Sequence, residues 1–379
     1  MPQPGHTMIE RAVARIDLGA IERNCAHIRS QLHGETKLCA VVKADAYGHG
    51  DTWCAKAALA GGADWLAVAA VSEALELRRH GIDAPLLVMG ALTIEDARAA
   101  LEAPADVVIW EPEFAEAFAR LADADGVTGR VHVKLDSGMG RLGTKDPEQA
   151  LAVARIVGEA EHLQLIGLMT HFATADEQGD DYLPQQLGVF AEFAGRFREQ
   201  YPEVIVHAAN SPATFRDSAS HFDMVRCGVA VYGLDPFQED PTLRGLDQAL
   251  SLHSYVAAVR RFEPGDSAGY GRRWTAERPT YVGTVPIGYG DGFRRAFTNN
   301  AELLIGGRRY PVVGTVSMDN ITVDLGAETE VEPGTEATLI GRDGRECITV
   351  EELAHRIGTI NYEITCGLTP RVRRQWSST

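Results

Sequence analysis

KLCAVVKADAYGHG, residues 37–50, opens as an apolar strand and ends as a glycine-bounded loop, with Lys43 at the changeover. A short run this rich in apolar residues suits a strand buried on both faces, as in a parallel sheet. Asp45, Tyr47 and His49 crowd polar groups onto the loop, while Gly48 and Gly50 let the backbone come close to a ligand. A lysine at the end of a buried strand loses water, which disfavours its charged form and draws its pKa toward the range where a free amine attacks a carbonyl. Lys43 is therefore a Schiff-base candidate. The competing reading is a solvated surface charge, because lysine is rarely buried without a partner.

The same texture continues outward. From about Leu38 to Leu234, KLCAVVK, DWLAVAA, PLLVMG, ADVVIW, RVHVKLD, LQLIGLMTH, VIVHAAN and DMVRCGVAVYG read as strands, and each of the first seven is followed by a helical segment. Ser72 is placed to cap its helix and Gly81 to end it, while Thr93 and Asp96 have capping-box spacing. Eight such units imply a closed (β/α)8 TIM-type barrel of the α/β class. After about Gly245 the pattern becomes strands joined by glycine turns: TYVGTVPIGYGDG, then ELLI and RRYPVV around Gly306 and Gly307, then NITVDLG and EATLIGRDG. A Gly-Gly connection suits a hairpin that needs positive φ, so this part reads as a mainly antiparallel β domain. Its one helix has Thr349 and Glu352 in capping-box spacing and Gly358 as its stop. The expected division is residues 12–243 for the barrel and 244–379 for the β domain, with residues 1–11 as a possible addition to the latter. RAVARIDLG, residues 11–19, alternates like a strand, and pattern alone does not place it.

With 379 residues, 45% hydrophobic and 23% charged, the chain can bury a large core. A net charge of -17 argues against nucleic acid or anionic membrane as partners, since a polyanion is repelled before contact. The first residues lack a basic segment followed by an apolar one, and no run approaches the ~20 apolar residues of a membrane span, so a cytoplasmic protein is expected. Six scattered cysteines without C-x-x-C spacing read as free thiols, and twelve histidines without paired-ligand spacing give no reason to expect a metal.

Reacting groups of a parallel barrel sit on loops at the carboxyl ends of its strands. Lys43 follows the first expected strand, Arg141 the fifth, His171 the sixth, and Asn210 with Ser211 the seventh; Arg226 and Gly228 lie within the eighth. Arg226 interrupts an apolar strand, and a guanidinium cannot be neutralised by burial, so it needs an acceptor: a structural carboxylate such as Asp223, or a ligand nitrogen. Ser211, in NSPATF, reads equally as a helix cap ahead of Pro212 and as a hydroxyl facing a phosphate, and both roles can coexist. His171 alone reads as a satisfied strand-end histidine. Tyr270, in SAGYGRRW, sits between two glycines on a turn where neighbouring arginines can lower a phenol from about 10; otherwise it shields a sheet edge. GMGRLG, residues 138–143, matches a dinucleotide fingerprint formally, but Thr144–Pro147 delay the helix the fingerprint requires, so an oxidoreductase reading is set aside.

VVKADAYGHG, KLDSGMGRLG, THFATADE, VRCGVAVYGL, GYGRRW and TINYEI together resemble the alanine racemase family over nearly the whole chain. The resemblance implies pyridoxal 5'-phosphate bound through Lys43, with its pyridine nitrogen at Arg226, His171 beside the ring, Tyr47, Ser211, Gly228, Val229 and Tyr362 at the phosphate, and Asn210 among the cofactor-binding residues. It implies two bases on opposite faces of the substrate: Lys43 for the D-face proton and Tyr270, from the partner of a homodimer, for the L-face proton. Arg141 and the Met318 N–H match positions that bind the substrate carboxylate, and Lys134 matches a carbamylated lysine that holds the arginine. Ser317 stands where many members have cysteine, and Tyr289 and Tyr362 resemble the tyrosines of a narrow entrance. The implied activity is interconversion of L- and D-alanine, supplying D-alanine for peptidoglycan. The alternatives are a broader small amino-acid racemase and a non-catalytic pyridoxal-phosphate carrier, although such carriers lack the β domain and its tyrosine. A fold-related decarboxylase would need a cysteine-aspartate motif, and Cys347 and Cys366 have no such context.

Overall fold

Backbone hydrogen bonding sorts the apolar runs into two sets of strands in a computed structural model that describes residues 10–378; expectations for residues 1–9 lie outside it. The first strand, β1 (Val13–Asp17), belongs to the second set. The next eight are β2 (Lys37–Val41), β3 (Trp65–Val68), β4 (Leu86–Val88), β5 (Asp106–Ile109), β6 (Gly129–Lys134), β7 (Leu163–Met169), β8 (Ile205–His207) and β9 (Met224–Cys227). They pair in chain order, all parallel, and β9 closes on β2 with Lys37 opposite Met224 and Ala40 opposite Cys227. β3, β4, β5 and β9 are buried at every position, as expected of strands with side chains packed both inside and outside a barrel. Helices Asp51–Ala60, Val71–Arg79, Ile94–Glu102, Pro112–Asp125, Pro147–Glu159, Tyr182–Gln200 and Ser211–Arg216 follow β2 to β8 in turn. The α/β barrel and its eight strands are as the sequence predicts.

Two local expectations change. The eighth strand, read as residues 223–233, stops at Cys227; Gly228 breaks the extended backbone with φ −108 and ψ −87, and Val229–Tyr232 form a buried helical turn. An apolar run does not by itself distinguish a strand from a buried turn of helix. Ser72 is not a cap, because its helix already begins at Val71; the Glu73 carboxylate instead accepts the N–H groups of Ala69 and Ala70 at 2.8 and 3.0 Å. An acidic group in the first turn satisfies donors that the helix leaves open. Thr93 and Asp96 do form the reciprocal cap, and Gly81 ends the preceding helix at φ 75.

The second set continues with β10 (Leu250–Tyr255), β11 (Ala258–Phe262), β12 (Thr280–Val285), β13 (Glu302–Ile305), β14 (Arg308–Val313), β15 (Ile321–Gly326), β16 (Glu336–Asp343), β17 (Glu346–Ile348) and β18 (Arg373–Ser377). Among the described residues the sheet order is β11-β12-β15-β14-β13-β16-β10-β1-β18, with β17 on β16. The Gly306-Gly307 turn joins β13 to β14 with both residues at positive φ, and Thr349 caps the helix Val350–Ile357, which Gly358 ends at φ 68. RAVARIDLG finds its place here. β1 runs antiparallel to β10 and parallel to β18, so residues 10–20 group with 238–378 and residues 21–237 form the barrel unit. This differs from the division at 12 and 243 because long-range pairing, not local pattern, assigns β1.

Candidate active site

Lys43 stands just beyond β2, half-buried, at the head of an unusual turn. Ala44, Asp45, Ala46 and Tyr47 all occupy the left-handed region, with φ between 51 and 55. For residues with a Cβ this costs roughly 1–2 kcal/mol each, and such strain concentrates where function fixes the backbone. The turn is held by hydrogen bonds from Ala46 N to Val42 O (3.0 Å), Gly50 N to Asp45 O (2.9 Å) and Ala44 N to Glu73 Oε1 (2.6 Å). It buries the Tyr47 ring against Tyr232 and brings it within 6.0 Å of Lys43 Nζ.

Tyr47 leads to the loop after β9. A Cβ on Gly228 would fall 2.2 Å from Tyr47 Oη, so this close approach requires glycine. Gly228 N donates to Ser211 Oγ at 3.0 Å and Ala230 N reaches the same oxygen at 3.5 Å; Ser211 and Val229 are buried beside them. The cap of helix Ser211–Arg216 is Asn210, whose side chain accepts from Ala213 N at 3.2 Å. The capping role considered for Ser211 thus falls to its neighbour, and the serine hydroxyl meets backbone N–H groups of the next loop instead. Tyr47, Asn210, Ser211, Gly228 and Val229 form one cradle.

Arg226 is 2% exposed, and no carboxylate among the described residues pairs with it. Asp223, the structural partner weighed from sequence, is taken by Arg198 and by the N–H of Val206. Arg226 Nη2 donates to the carbonyls of Thr170 (2.8 Å) and Ala208 (2.9 Å) and lies 3.2 Å from His171 Nδ1, while Nη1 lies 2.9 Å from His207 Nδ1. Nε is buried and has no hydrogen-bond partner among the described residues. Burial lowers the guanidinium to about 10, still charged at neutral pH. His171 is pushed well below the usual histidine range, first by lost hydration and then by Arg226, Lys134, Arg141 and Lys43.

Lys134 ends β6, 5% exposed. Burial first, then Arg226 and Arg141, lower its amine from 10.5 to about 8. Exposed Arg141 belongs to the loop after β6, where Asp136 accepts the N–H groups of Gly138 and Gly140, and the following helix does not start until Pro147. That late start removes the dinucleotide reading. Between pH 8 and 10.5 the unfolded chain holds a proton at Lys134 that the folded chain has lost, so this group makes stability rise with pH in that window. In urea titrations without carbon dioxide, Lys134→Met is expected to gain most over the parent below pH 8 and to lose that advantage by pH 10.5; a gain independent of pH would refute it.

Tyr270, Met318, Tyr289 and Tyr362 belong to the β unit. Tyr270 is 74% exposed on a turn where Gly269 (φ 74) and Gly271 (φ 72) flank it, and Thr315 Oγ1 donates to its carbonyl at 2.6 Å. A Cβ on Gly269 would press within 3.1 Å of the Thr315 backbone. Arg272 turns its guanidinium to Ser267 Oγ and Gly265 O. Met318 is also exposed; its carbonyl accepts from Gly290 N at 2.9 Å, and Ser317 Oγ donates to Asn320 O. Tyr289 is exposed and Tyr362 half-buried.

Sequence reasoning missed His132 and His207, both fully buried and 2.8 Å apart in the barrel interior. The available signal was the one that exposed Arg226: a polar residue inside an apolar strand, in RVHVK and VIVHAA.

Residues 16–236 match the family described as alanine racemase, N-terminal domain, and residues 249–376 match alanine racemase, C-terminal domain. The chain is 42% identical over 361 residues to an alanine racemase of Geobacillus kaustophilus, covering 95% of this chain and 92% of that protein. It is 40% identical over 365 residues to alanine racemase 1 of Bacillus subtilis, covering 96% and 92%. Its fold is similar to the solved alanine racemase from Streptomyces coelicolor, with TM-score 0.92, 38% identity and 97% and 98% of the two chains covered. The Bacillus anthracis alanine racemase solved with bound L-Ala-P gives TM-score 0.90, 37% identity and 99% and 97% coverage. Two matched domains and this identity over almost the full length place the chain in the alanine racemase family, whose members depend on pyridoxal phosphate.

Proposed function

We propose that this chain interconverts L-alanine and D-alanine with pyridoxal 5'-phosphate at its barrel mouth. The reading rests above all on Arg226 Nε, a buried donor with no partner among the described residues, in the same charged cluster around His171 as Lys43. Such a donor calls for an acceptor that the described residues do not supply, and a pyridine nitrogen is one. The remaining chemistry fits: four cations, Lys43, Lys134, Arg141 and Arg226, lie close enough to act together on His171 and favour an anionic phosphate and carboxylate. When bound, pyridoxal phosphate supplies an electron sink that acidifies the hydrogen on the α-carbon of an amino acid.

This chain's residues do the rest. Lys43 would hold the cofactor through its amine and serve as the base for the proton on the D face. Tyr270 handles the L face. Arg226 can donate but not accept, so it would hold the ring nitrogen unprotonated, which would weaken the sink and favour returning the proton to the α-carbon. Ser211, Tyr47, Tyr362 and the backbone at Gly228 and Val229 would hold the phosphate, with Asn210 fixing the adjoining helix. His171, 3.2 Å from Arg226 Nη2, is the residue we assign to relay its hydrogen bonding toward the catalytic phenol. Arg141 and Met318 N–H hold the substrate carboxylate. Lys134, an amine near pKa 8, is suited to attack carbon dioxide, forming an N–C bond and releasing a proton, and the resulting carbamate would steady Arg141. Tyr270 serves the barrel of a partner copy, so the working enzyme is a homodimer. No helix among the described residues is long and apolar enough to cross a membrane, and we assign the enzyme to the cytoplasm.

Purified holoenzyme given L-alanine is expected to reach equal amounts of both enantiomers by chiral chromatography. Retention of the cofactor without any D-alanine would leave only a carrier. Gly228→Ala, which drives a methyl toward Tyr47 Oη, is expected to weaken pyridoxal-phosphate binding ~10-fold or more, since a hydrogen bond to a charged group contributes roughly 1.5–3 kcal/mol. Absorbance titration of the apoenzyme measures this, and unchanged affinity would remove the cradle from the site.

A further inference from the structure

Behind Arg226 the barrel interior carries a line of polar groups that no step above uses. Arg226 Nη1 lies 2.9 Å from His207 Nδ1, His207 Nε2 lies 2.8 Å from His132 Nδ1, and His132 Nε2 lies 3.1 Å from Asp106 Oδ2. The other carboxylate oxygen of Asp106 accepts from Arg130 Nε at 2.7 Å. Asp106, His132 and His207 are all buried, where each polar group costs stability unless donor meets acceptor. The fold makes room for the line: a Cβ on Gly167 would fall 2.3 Å from His132 Nδ1, and Trp65 packs edge-on to the same ring.

Proton positions follow from the end that has no choice. A guanidinium only donates, so His207 Nδ1 must accept. Neutral His207 then carries its proton on Nε2 and donates to His132 Nδ1. His132 in turn carries its proton on Nε2 and donates to Asp106, which must be ionised to accept from both sides. The electrostatics agree: lost hydration, then Arg226, push His207 well below the histidine range and keep it neutral. Burial alone would raise the Asp106 carboxyl, but hydrogen bonds from His132 and Arg130 bring it below its usual value.

We infer that Asp106 and His132 are positioning residues for Arg226: the carboxylate fixes one tautomer through both rings, so that His207 offers a lone pair that orients the guanidinium and leaves Nε for the cofactor. The inference rests on the reading of Arg226 as the donor to the pyridine nitrogen. In Asp106→Asn the amide oxygen is drawn to Arg130, which turns the NH2 group toward His132 Nε2. That nitrogen must then accept, both rings reverse, and His207 Nδ1–H meets the Arg226 N–H, donor against donor.

The test is Asp106→Asn holoenzyme labelled with 15N-histidine. The parent should show His132 and His207 protonated on Nε2, and the variant both on Nδ1, with a shifted visible band of the cofactor. Its kcat should fall ~10–100-fold, the scale of a lost outer-shell partner, while KM for alanine changes little. A folded variant with parental tautomers, or one with reversed tautomers and unchanged kcat and band, overturns the inference. Should the variant not fold, neutron diffraction from perdeuterated parent crystals decides: deuterons on both Nε2 atoms support it, and one on either Nδ1 refutes it. A parent enzyme that does not racemise alanine would sink the functional reading instead, whereas the tautomers are read independently of turnover.

Discussion

Lys43→Ala is expected to lower kcat for alanine racemisation by more than ~10⁴, at saturating pyridoxal phosphate and in either direction. Removing a general base costs about 10²–10⁴, and this substitution also deletes the amine that anchors the cofactor, so the loss should pass the upper end of that range. The backbone gives a reason to choose this lysine over the other residues of the loop. Its Nζ rises from a turn whose four following residues are held left-handed, an arrangement that opposes local preference and is sustained only by the surrounding hydrogen bonds. Borohydride reduction of the holoenzyme followed by peptide mapping should place a pyridoxyl label on Lys43 and on no other lysine. A label elsewhere, or a Lys43→Ala enzyme within tenfold of the parent, would reject the assignment. Lys43→Arg should not rescue, because a guanidinium keeps the charge but offers no free amine.

Much of this arrangement is written in local pattern. Strands buried on both faces leave continuous apolar runs, so the eight barrel strands could be placed from residues 37–234 alone. The Gly306-Gly307 hairpin and the Thr349 cap were legible because turn and cap chemistry is local. What escaped was non-local. β1 has the alternation of a strand, but its membership is set by partners more than 200 residues away. The left-handed turn at Ala44–Tyr47 could not be read, since only Asp45 of its four residues has any tendency to positive φ and the cause lies in packing. Arg226 could be flagged as an interruption, yet whether Asp223 neutralised it depended on Arg198, 25 residues away from that carboxylate, claiming it first. His132 and His207 are 75 positions apart, and only barrel closure makes them a pair.

Tyr270→Phe is expected to lower kcat/KM by ~10²–10⁴, and by the same factor for both enantiomers, because L- and D-alanine have equal free energies and no variant can alter their equilibrium. The two faces should nevertheless separate in deuterated water. With Lys43 intact, the variant should still exchange the α-hydrogen of D-alanine with retention, while L-alanine stays unlabelled; labelling of L-alanine at the parental rate would remove the phenol from the mechanism. Phenylalanine keeps the ring on its glycine-flanked, exposed turn and deletes only the hydroxyl, so a loss of this size cannot be assigned to folding. The same variant tests where the second base comes from. Mixed and reassociated with inactive Lys43→Ala, it should recover about a quarter of parental activity, since half the dimers are mixed and each mixed dimer holds one intact pair of bases only if the pair is shared across a two-fold interface. Were both bases supplied by one chain, every barrel in the mixture would lack one of them and no activity would return.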